Sequence, residues 1–324
     1  MKKITVIGGG TGSYVVLTAL KTLQFDLAAI VTMMDSGGST GRLRDQLGVL
    51  PPGDLRQCLV ALSEAPELWR KLFLYRFENG DLKGHNFGNL FLSALEKVSE
   101  DYNTVLDTVS YVLKTKGKVI PVTFDKTNLC VQYENGTVIK GEGNIDENNP
   151  EISSIARAYL EPNAKPNEEA IKRIHESDFL IIGPGDLYTS IIPILVVDGI
   201  RHAIMTSNAK IIFFMNLMTK SGQTTNFKAQ NFLTDLTKYL GKEPNFLILN
   251  NGEIPKSIVD WYASHHELVV ENNLDTKHFR GTILKEDLIN RNHITKSSAD
   301  ALTRSILRHD SKKLTEVLSP LFKI

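Results

Sequence analysis

The apolar positions of the chain fall into two rhythms. Ile4-Thr-Val-Ile7 is a short apolar run that stops at Gly8-Gly-Gly-Thr-Gly12, after which Val16, Leu17, Leu20 and Leu23 recur at helical spacing. Leu27 to Met33 is a second apolar run, so strand, glycine turn, helix and strand form a βαβ unit with an expected right-handed crossover. Neither run alternates polar with apolar residues, the pattern of parallel strands covered on both faces. Helical periodicity follows over about 54–63, 66–77, 87–99 and 102–114; Leu90, Phe91, Ala94, Leu95 and Val98 supply the core face of the third.

The rhythm then changes. Residues 119–122 read as a strand, and 129–133 and 138–140 flank Glu134-Asn-Gly-Thr137, whose Asn-Gly pair signals a hairpin. This predicts an antiparallel β insertion around 118–160 within a single 1–324 domain, with the polar stretch Gly141 to Pro150 as a surface loop. Strands resume at 179–182, 210–215 and 246–250, each followed by loop signals and a helical pattern, and a C-terminal helix is expected over 298–308. The fold class is α/β: a Rossmann-like, doubly wound, mostly parallel sheet in a three-layer α/β/α arrangement, carrying a small antiparallel β insertion.

Composition narrows the function classes. The 37 Lys and Arg balance 37 Asp and Glu, which argues against nucleic-acid partners and against a polybasic membrane patch. Two cysteines, Cys58 and Cys130, have no metal spacing. The apolar run before Gly8 is too short for a signal-peptide core, and no run of about 18 apolar residues occurs, so a cytoplasmic chain without membrane insertion is expected.

Doubly wound sheets bind ligands beyond the carboxyl ends of their strands. Here those ends read GGGTG, MDSGG, GPGD and NLMT. In the first, Gly9, Gly10, Thr11 and Gly12 resemble a dinucleotide fingerprint, but Ser13 stands where the third glycine belongs. The turn still offers backbone N–H groups at a helix N-terminus to a phosphate. A tight turn without a ligand is the plainer reading, and the glycine run exceeds what a turn requires.

Asp35, at the end of the second strand, suits a ribose or sugar hydroxyl, a magnesium ion shared with phosphate, or a loop cap. Ser36, Gly37, Gly38, Ser39 and Thr40 lack the Lys-Ser/Thr ending of a P-loop and read as an anion-binding nest. Arg42 and Arg44 would add bidentate phosphate contacts, or form a solvated basic turn. Leu50-Pro-Pro-Gly-Asp-Leu-Arg56 is a stiff turn into a helix; Asp54 reads as its N-cap or as a metal or substrate ligand, with Arg56 near the phosphate. In Gly84-His-Asn-Phe-Gly-Asn89, His85 reads as a helix-start cap, while Asn86 and Asn89 share a face suited to a base or sugar. Gly183, Gly185, Asp186, Tyr188 and Thr189 repeat the logic of the first turn as a second anion or sugar-hydroxyl site. No nucleophile–base arrangement emerges, which favours binding over acid–base chemistry.

IGGGTG, DSGGSTGRLR, PPGDLRQCLVALSE, RFENGDLKGHNFGNLFLSAL, IIGPGDLYTSIIPIL, NLMTKSG and ILRHD together resemble the YvcK proteins, a family of gluconeogenesis factors within the wider CofD-like superfamily. The resemblance runs in order between residues 5 and 310. It implies binding of a nucleotide sugar of the UDP-N-acetylglucosamine type, protein partners linking carbon metabolism to cell-wall synthesis and cell shape, and a homodimer. The CofD branch implies a second activity, Mg²⁺-dependent transfer of a phospholactyl-type group, for which Asp35 and Asp54 match acidic positions. Arg308 and His309 match the C-terminal segment of the YvcK branch, which approaches the nucleotide sugar. Family members commonly carry Asp-Asp-Gly-Gly where this chain has Asp35-Ser36-Gly-Gly, which weakens a two-carboxylate metal site. Three readings stand: a nucleotide-sugar sensor, a Mg²⁺-dependent transferase, and a nicotinamide dehydrogenase that Ser13 disfavours.

Overall fold

The computed structural model describes residues 1–147, 154–291 and 306–323. Its strands are β1 (Lys3–Ile7), β2 (Asp26–Val31), β3 (Lys118–Pro121), β4 (Asn128–Tyr133), β5 (Val138–Lys140), β6 (Ile155–Glu161), β7 (Phe179–Ile182), β8 (Lys210–Phe214), β9 (Phe246–Asn250) and β10 (Thr282–Glu286). Helices α1 (Gly10–Lys21), α2 (Gly38–Leu47), α3 (Gly53–Leu62), α4 (Glu67–Leu74), α5 (Phe87–Val98) and α6 (Tyr102–Leu113) belong to the first half. The rest are α7 (Glu142–Asp146), α8 (Glu168–Glu176), α9 (Ile192–Leu195, entered through a π-helical turn Leu187–Ile191), α10 (Ile200–Thr206), α11 (Ala229–Leu240), α12 (Lys256–Ala263) and α13 (Ser311–Leu321).

Seven strands form one parallel sheet in the order β10-β9-β8-β7-β1-β2-β3. Ile4 faces Leu27 on one side and Phe179 on the other, and all three are buried. The unbroken apolar runs follow from this placement: α1, α3 and α13 pack together on one side, while α8, α9, α10 and α11 pack on the other, so both faces are dry. The chain steps from β1 outward to β2 and β3, then returns across β1 to build β7 through β10. Connections on the two sides of β1 and β7 therefore run in opposite directions, opening a crevice at the carboxyl ends of those two strands.

The antiparallel insertion is a three-stranded sheet, β5-β4-β6, turned at Asn135-Gly136. Gly136 has φ +87°, which the turn requires, and the Asn135 side chain accepts from Thr137 N at 3.0 Å. β3 pairs with β2 in the main sheet, so the antiparallel part begins at β4 and not at 118.

Some elements differ from expectation. The segment 36–41 is the entry and first turn of α2, where a loop was expected. β10 is half-exposed and polar, so it carries no buried-strand signature. Residues 298–305 of the expected C-terminal helix lie outside the described residues, and the following 306–309 are not helical: His309 bridges Ile289. A helix starts later, where the Asp310 carboxylate accepts from Lys312 N and Lys313 N at 2.9 and 3.2 Å. Among the described residues no single helix is long and apolar enough to cross a membrane.

Candidate functional site

The crevice where the strand order reverses holds a cleft of about 250 Å³. Three helices begin on it. Gly9, Gly10, Thr11 and Gly12 of the α1 start line it, as do Gly37, Ser39 and Thr40 of α2, and Gly53, Asp54 and Arg56 of α3. Pro184, Gly185, Asp186 and Thr189 close the far side. None of the three helices has a side-chain cap at its first turn, so their orphan N–H groups and positive dipole ends are directed at one space.

The glycines allow these termini to meet. A methyl on Gly12 would stand 1.8 Å from the Pro184 carbonyl oxygen, and one on Gly9 would stand 2.1 Å from Asp54 Oδ2. At Gly53 it would stand 2.3 Å from Asp35 Oδ2. Both carboxylates predicted from the sequence thus lie against glycine backbone in the cleft wall. Asp35 also accepts from Gly37 N at 2.9 Å through Oδ1, so it caps its loop and faces the cleft at once.

Arg56 is buried and spans the floor. It donates to Asn89 Oδ1 at 2.7 Å and to the Phe73 carbonyl at 3.2 Å. Asn89 in turn donates to Ser39 Oγ at 3.4 Å and Thr40 Oγ1 at 3.3 Å, stitching α5 to α2. Arg76, Lys220 and Arg308 bring further positive charge to the same lining.

Carboxylates face these cations from α7. Glu142 Oε2 accepts from Ser36 N at 3.0 Å, Gly143 N donates to Ser36 Oγ at 2.9 Å, and Gln223 Nε2 donates to Asp146 Oδ1 at 2.6 Å. The insertion thereby roofs the cleft, tied to the α2 loop at one end and to residues 220–224 at the other. Burial, then the Asp35 and Asp146 carboxylates, push the Glu142 carboxyl well above the usual range. Burial and Asp186 push Asp146 up to about 6. Burial opposes the Lys220 ammonium, yet Asp186, Asp146 and Glu267 together hold its pKa above the ordinary value.

Among the described residues no group of three or more His, Cys, Asp or Glu side chains is placed to hold a metal ion. What the site offers magnesium is the Asp35–Asp54 pair, which would share the ion with phosphate oxygens and water.

Several residues singled out in the sequence sit elsewhere. Helical phase turns Arg42 outward, where it donates to the Lys83 carbonyl at 3.2 Å, while Ser39, Thr40 and Leu43 turn inward. Arg44 bonds Asp45 and Asn128, and neither arginine lines the cleft. Ser36 is engaged by α7, and Gly38 is exposed. Pro52 occupies the cap position of α3, leaving Asp54 in its first turn and not at the cap. Asn86 is the N-cap of α5, accepting from Asn89 N at 3.3 Å, and is buried away from the cleft. His85 lies beside Ser39 Oγ at 3.2 Å, its pKa lowered by burial, Arg42 and Arg76. Tyr188 is buried with its hydroxyl donating to Asp235, and Gly183 shapes the turn at φ +69° without lining the cleft. Arg308 and His309 do reach the lining. Glu142, Asp146, Lys220, Glu267 and Trp261 complete it without having been anticipated. Lys220 follows the strand end NLMT and was recoverable from that position; the two α7 carboxylates looked like part of a solvated loop.

A more open groove of about 850 Å³ lies beside α6, Lys118 and Val119. It sits at the amino end of β3, opposite the ligand-binding edge of such a sheet.

A family model described as "2-phospho-L-lactate transferase CofD" matches residues 4–289. The chain is 41% identical over 327 residues to the "Putative gluconeogenesis factor" of Aquifex aeolicus, covering 98% of this chain and 96% of that one. It is 35% identical over 325 residues to the "Gluconeogenesis factor" of Bacillus subtilis, covering 99% and 98%. A crystal structure of a UPF0052 family member from Bacillus halodurans superposes with a TM-score of 0.89 at 34% identity, covering 98% of each chain. The chain therefore belongs to the CofD family, in its YvcK branch of gluconeogenesis factors.

Proposed function

We propose that this protein binds a nucleotide sugar of the UDP-N-acetylglucosamine type in the strand-end cleft, in the cytoplasm, and acts through the bound state. Protein partners in carbon metabolism and cell-wall synthesis would read that state, with cell shape as its outcome. The observation that carries the reading is the convergence of three uncapped helix starts and Arg56 on a cleft whose other wall holds Asp146, Asp186 and Asn216. Helix starts and arginine suit a diphosphate. Carboxylates and an amide suit ribose and sugar hydroxyls.

Thermal-shift titration with UDP-N-acetylglucosamine, UDP-glucose, UMP and NAD tests the reading. A ligand at 100 times its dissociation constant adds about 2.7 kcal/mol of stability. Failure of every UDP sugar to stabilise the protein would sink it.

One observation favours a transferase instead. Glu142, held toward its protonated form beside Asp35, could supply a proton to a leaving group, with magnesium on Asp35 and Asp54 neutralising phosphoryl charge. That reading requires Asp35→Asn to abolish turnover in a folded protein. Absence of product from any nucleotide-activated donor with Mg²⁺ present counts against it.

A further inference from the structure

Arg308 and His309 reach the cleft from a short segment that follows the main sheet in sequence. Residues 288–290, just past the carboxyl end of β10, pair antiparallel with that segment. Ile289 bridges His309, Asn290 N donates to the Arg308 carbonyl at 2.9 Å, and Asp310 N donates to the Leu288 carbonyl at 2.8 Å. The backbone of both cleft residues is therefore only as well placed as residues 288–290.

Those three residues are held by Asp287. Its Oδ1 accepts from Ile289 N at 3.2 Å, and its Oδ2 accepts from Lys313 Nζ and from Arg291 Nη1, each at 2.7 Å. Lys313 also donates to the Ile289 carbonyl at 3.1 Å, so one ammonium ties the first turn of α13 to both the carboxylate and the main chain beside it. From β9, Asn250 Oδ1 accepts from Leu288 N at 3.0 Å and from Gly252 N at 3.1 Å. Gly252 allows this close approach: a methyl there would stand 2.1 Å from Asp287 Oδ1. The Lys313 bond, helped by Arg291, holds the Asp287 carboxyl down to about 2 against the opposing effect of burial. An exposed ion pair by itself contributes little. This one grips main chain that carries two residues of the cleft wall.

We infer that Asp287 is a positioning residue for the cleft: it does not line the cleft itself, and it sets the place of Arg308 and His309 through residues 288–290. The inference rests on the nucleotide-sugar reading for the ligand and adds to it the support on which one wall of the site depends.

Calorimetric titration with UDP-N-acetylglucosamine tests it through double-mutant cycles. Asp287→Ala should weaken binding roughly tenfold, the lower end of what a hydrogen bond to a charged group supplies. Added to Arg308→Ala it should cost about twofold or less, because Asp287 acts through that residue. Added to Arg56→Ala, at the helix starts, the two losses should multiply, as they do for sites without shared partners. Asp287→Asn keeps an acceptor for Ile289 N and gives up the charge, so its affinity should fall between the parent and Asp287→Ala. If Asp287→Ala does not fold, Lys313→Met carries the same cycles with the same expectation. Parent-like affinity in the folded variant overturns the positioning role while the ligand class stands. Losses that multiply equally with both arginine substitutions make Asp287 a general support of the fold, which also overturns it. If UDP-N-acetylglucosamine does not bind the unsubstituted chain, the ligand class and the positioning role both fall.

Discussion

Gly12→Ala places a methyl where α1 meets the turn before α9. In an exposed helix interior the same change would stabilise by about 1 kcal/mol, because alanine is the better helix former. Here the new carbon would lie 1.8 Å from the Pro184 carbonyl oxygen and 2.5 Å from its carbonyl carbon. An ordinary contact is roughly 3.5 Å, so the backbone on one side must yield by about 1.7 Å. The obstacle is main chain and cannot rotate away, which sets the cost near the upper end of overpacking, about 3 kcal/mol. At roughly 2.1 cal/mol/K of unfolding entropy per residue, a chain of 324 residues loses about 1.5 °C per kcal/mol, giving a fall in Tm of about 4 °C. The displaced helix start should also lose a phosphate hydrogen bond, about tenfold or more in UDP-sugar affinity. Urea denaturation and calorimetric titration measure the two effects. Gly185→Ala is the comparison: its methyl would meet Ser190 Cβ at 3.2 Å, a side chain able to give slightly, so its stability cost is smaller. A Gly12→Ala protein as stable as the parent, or more so, refutes the packing argument.

Arg56→Ala should cost about 1.5–3 kcal/mol in urea denaturation, because Asn89 Oδ1 and the Phe73 carbonyl lose a buried charged donor. Its UDP-sugar affinity should fall in the same experiment series; retention of both would remove Arg56 from the site. Arg42→Ala, at an exposed side chain outside the lining, should change stability by under about 0.5 kcal/mol and leave ligand affinity unaltered. A tenfold loss of affinity there would restore the arginine-clamp expectation. Asp146 titrates near 6 in the fold against about 3.9 when unfolded, so the native state holds the proton more tightly between those values. Stability contributed by this group is therefore greatest at low pH and falls as pH rises from about 4 to 6, by at most about 3 kcal/mol. Asp146→Asn should flatten that segment of the stability–pH curve, as urea midpoints at pH 4, 5, 6 and 7.5 would reveal; an unchanged slope rejects the assignment.

Strands were the most legible part of the sequence, because burial on both faces leaves runs such as Phe179 to Ile182 without a polar position. The edge that carries the cleft followed, since glycine turns after strands mark where helix starts converge. The α2 helix was hidden: Gly-Ser-Thr-Gly has weak helix propensity, and tertiary packing of Ser39, Thr40 and Leu43 forms it regardless. With the helix hidden, the phase of Arg42 could not be read, and its side chain turns to the Lys83 carbonyl outside the cleft lining. Glu142 and Asp146 escaped for a different reason. They meet Ser36 and Gln223 across sequence separations of 106 and 77 residues, and no local pattern encodes such a meeting. Trp261 lay in a helix with no strand-end motif, so nothing adjacent in sequence marked it.

The reversal of strand order at β1 also bears on cooperativity. β1 is joined to β2 by a nearby crossover, but to β7 only after more than half the chain, with Lys3 N reaching Asp178 Oδ2 at 2.7 Å across 175 residues. The two halves of the sheet can thus behave as separate folding units with β1–β7 as their seam. The cleft straddles that seam. A ligand held there contributes its binding free energy to keeping the halves joined, so it should slow amide hydrogen exchange in β1 and β7 ahead of the outer strands. Occupancy then becomes a property of the entire sheet, and surfaces far from the cleft share in it.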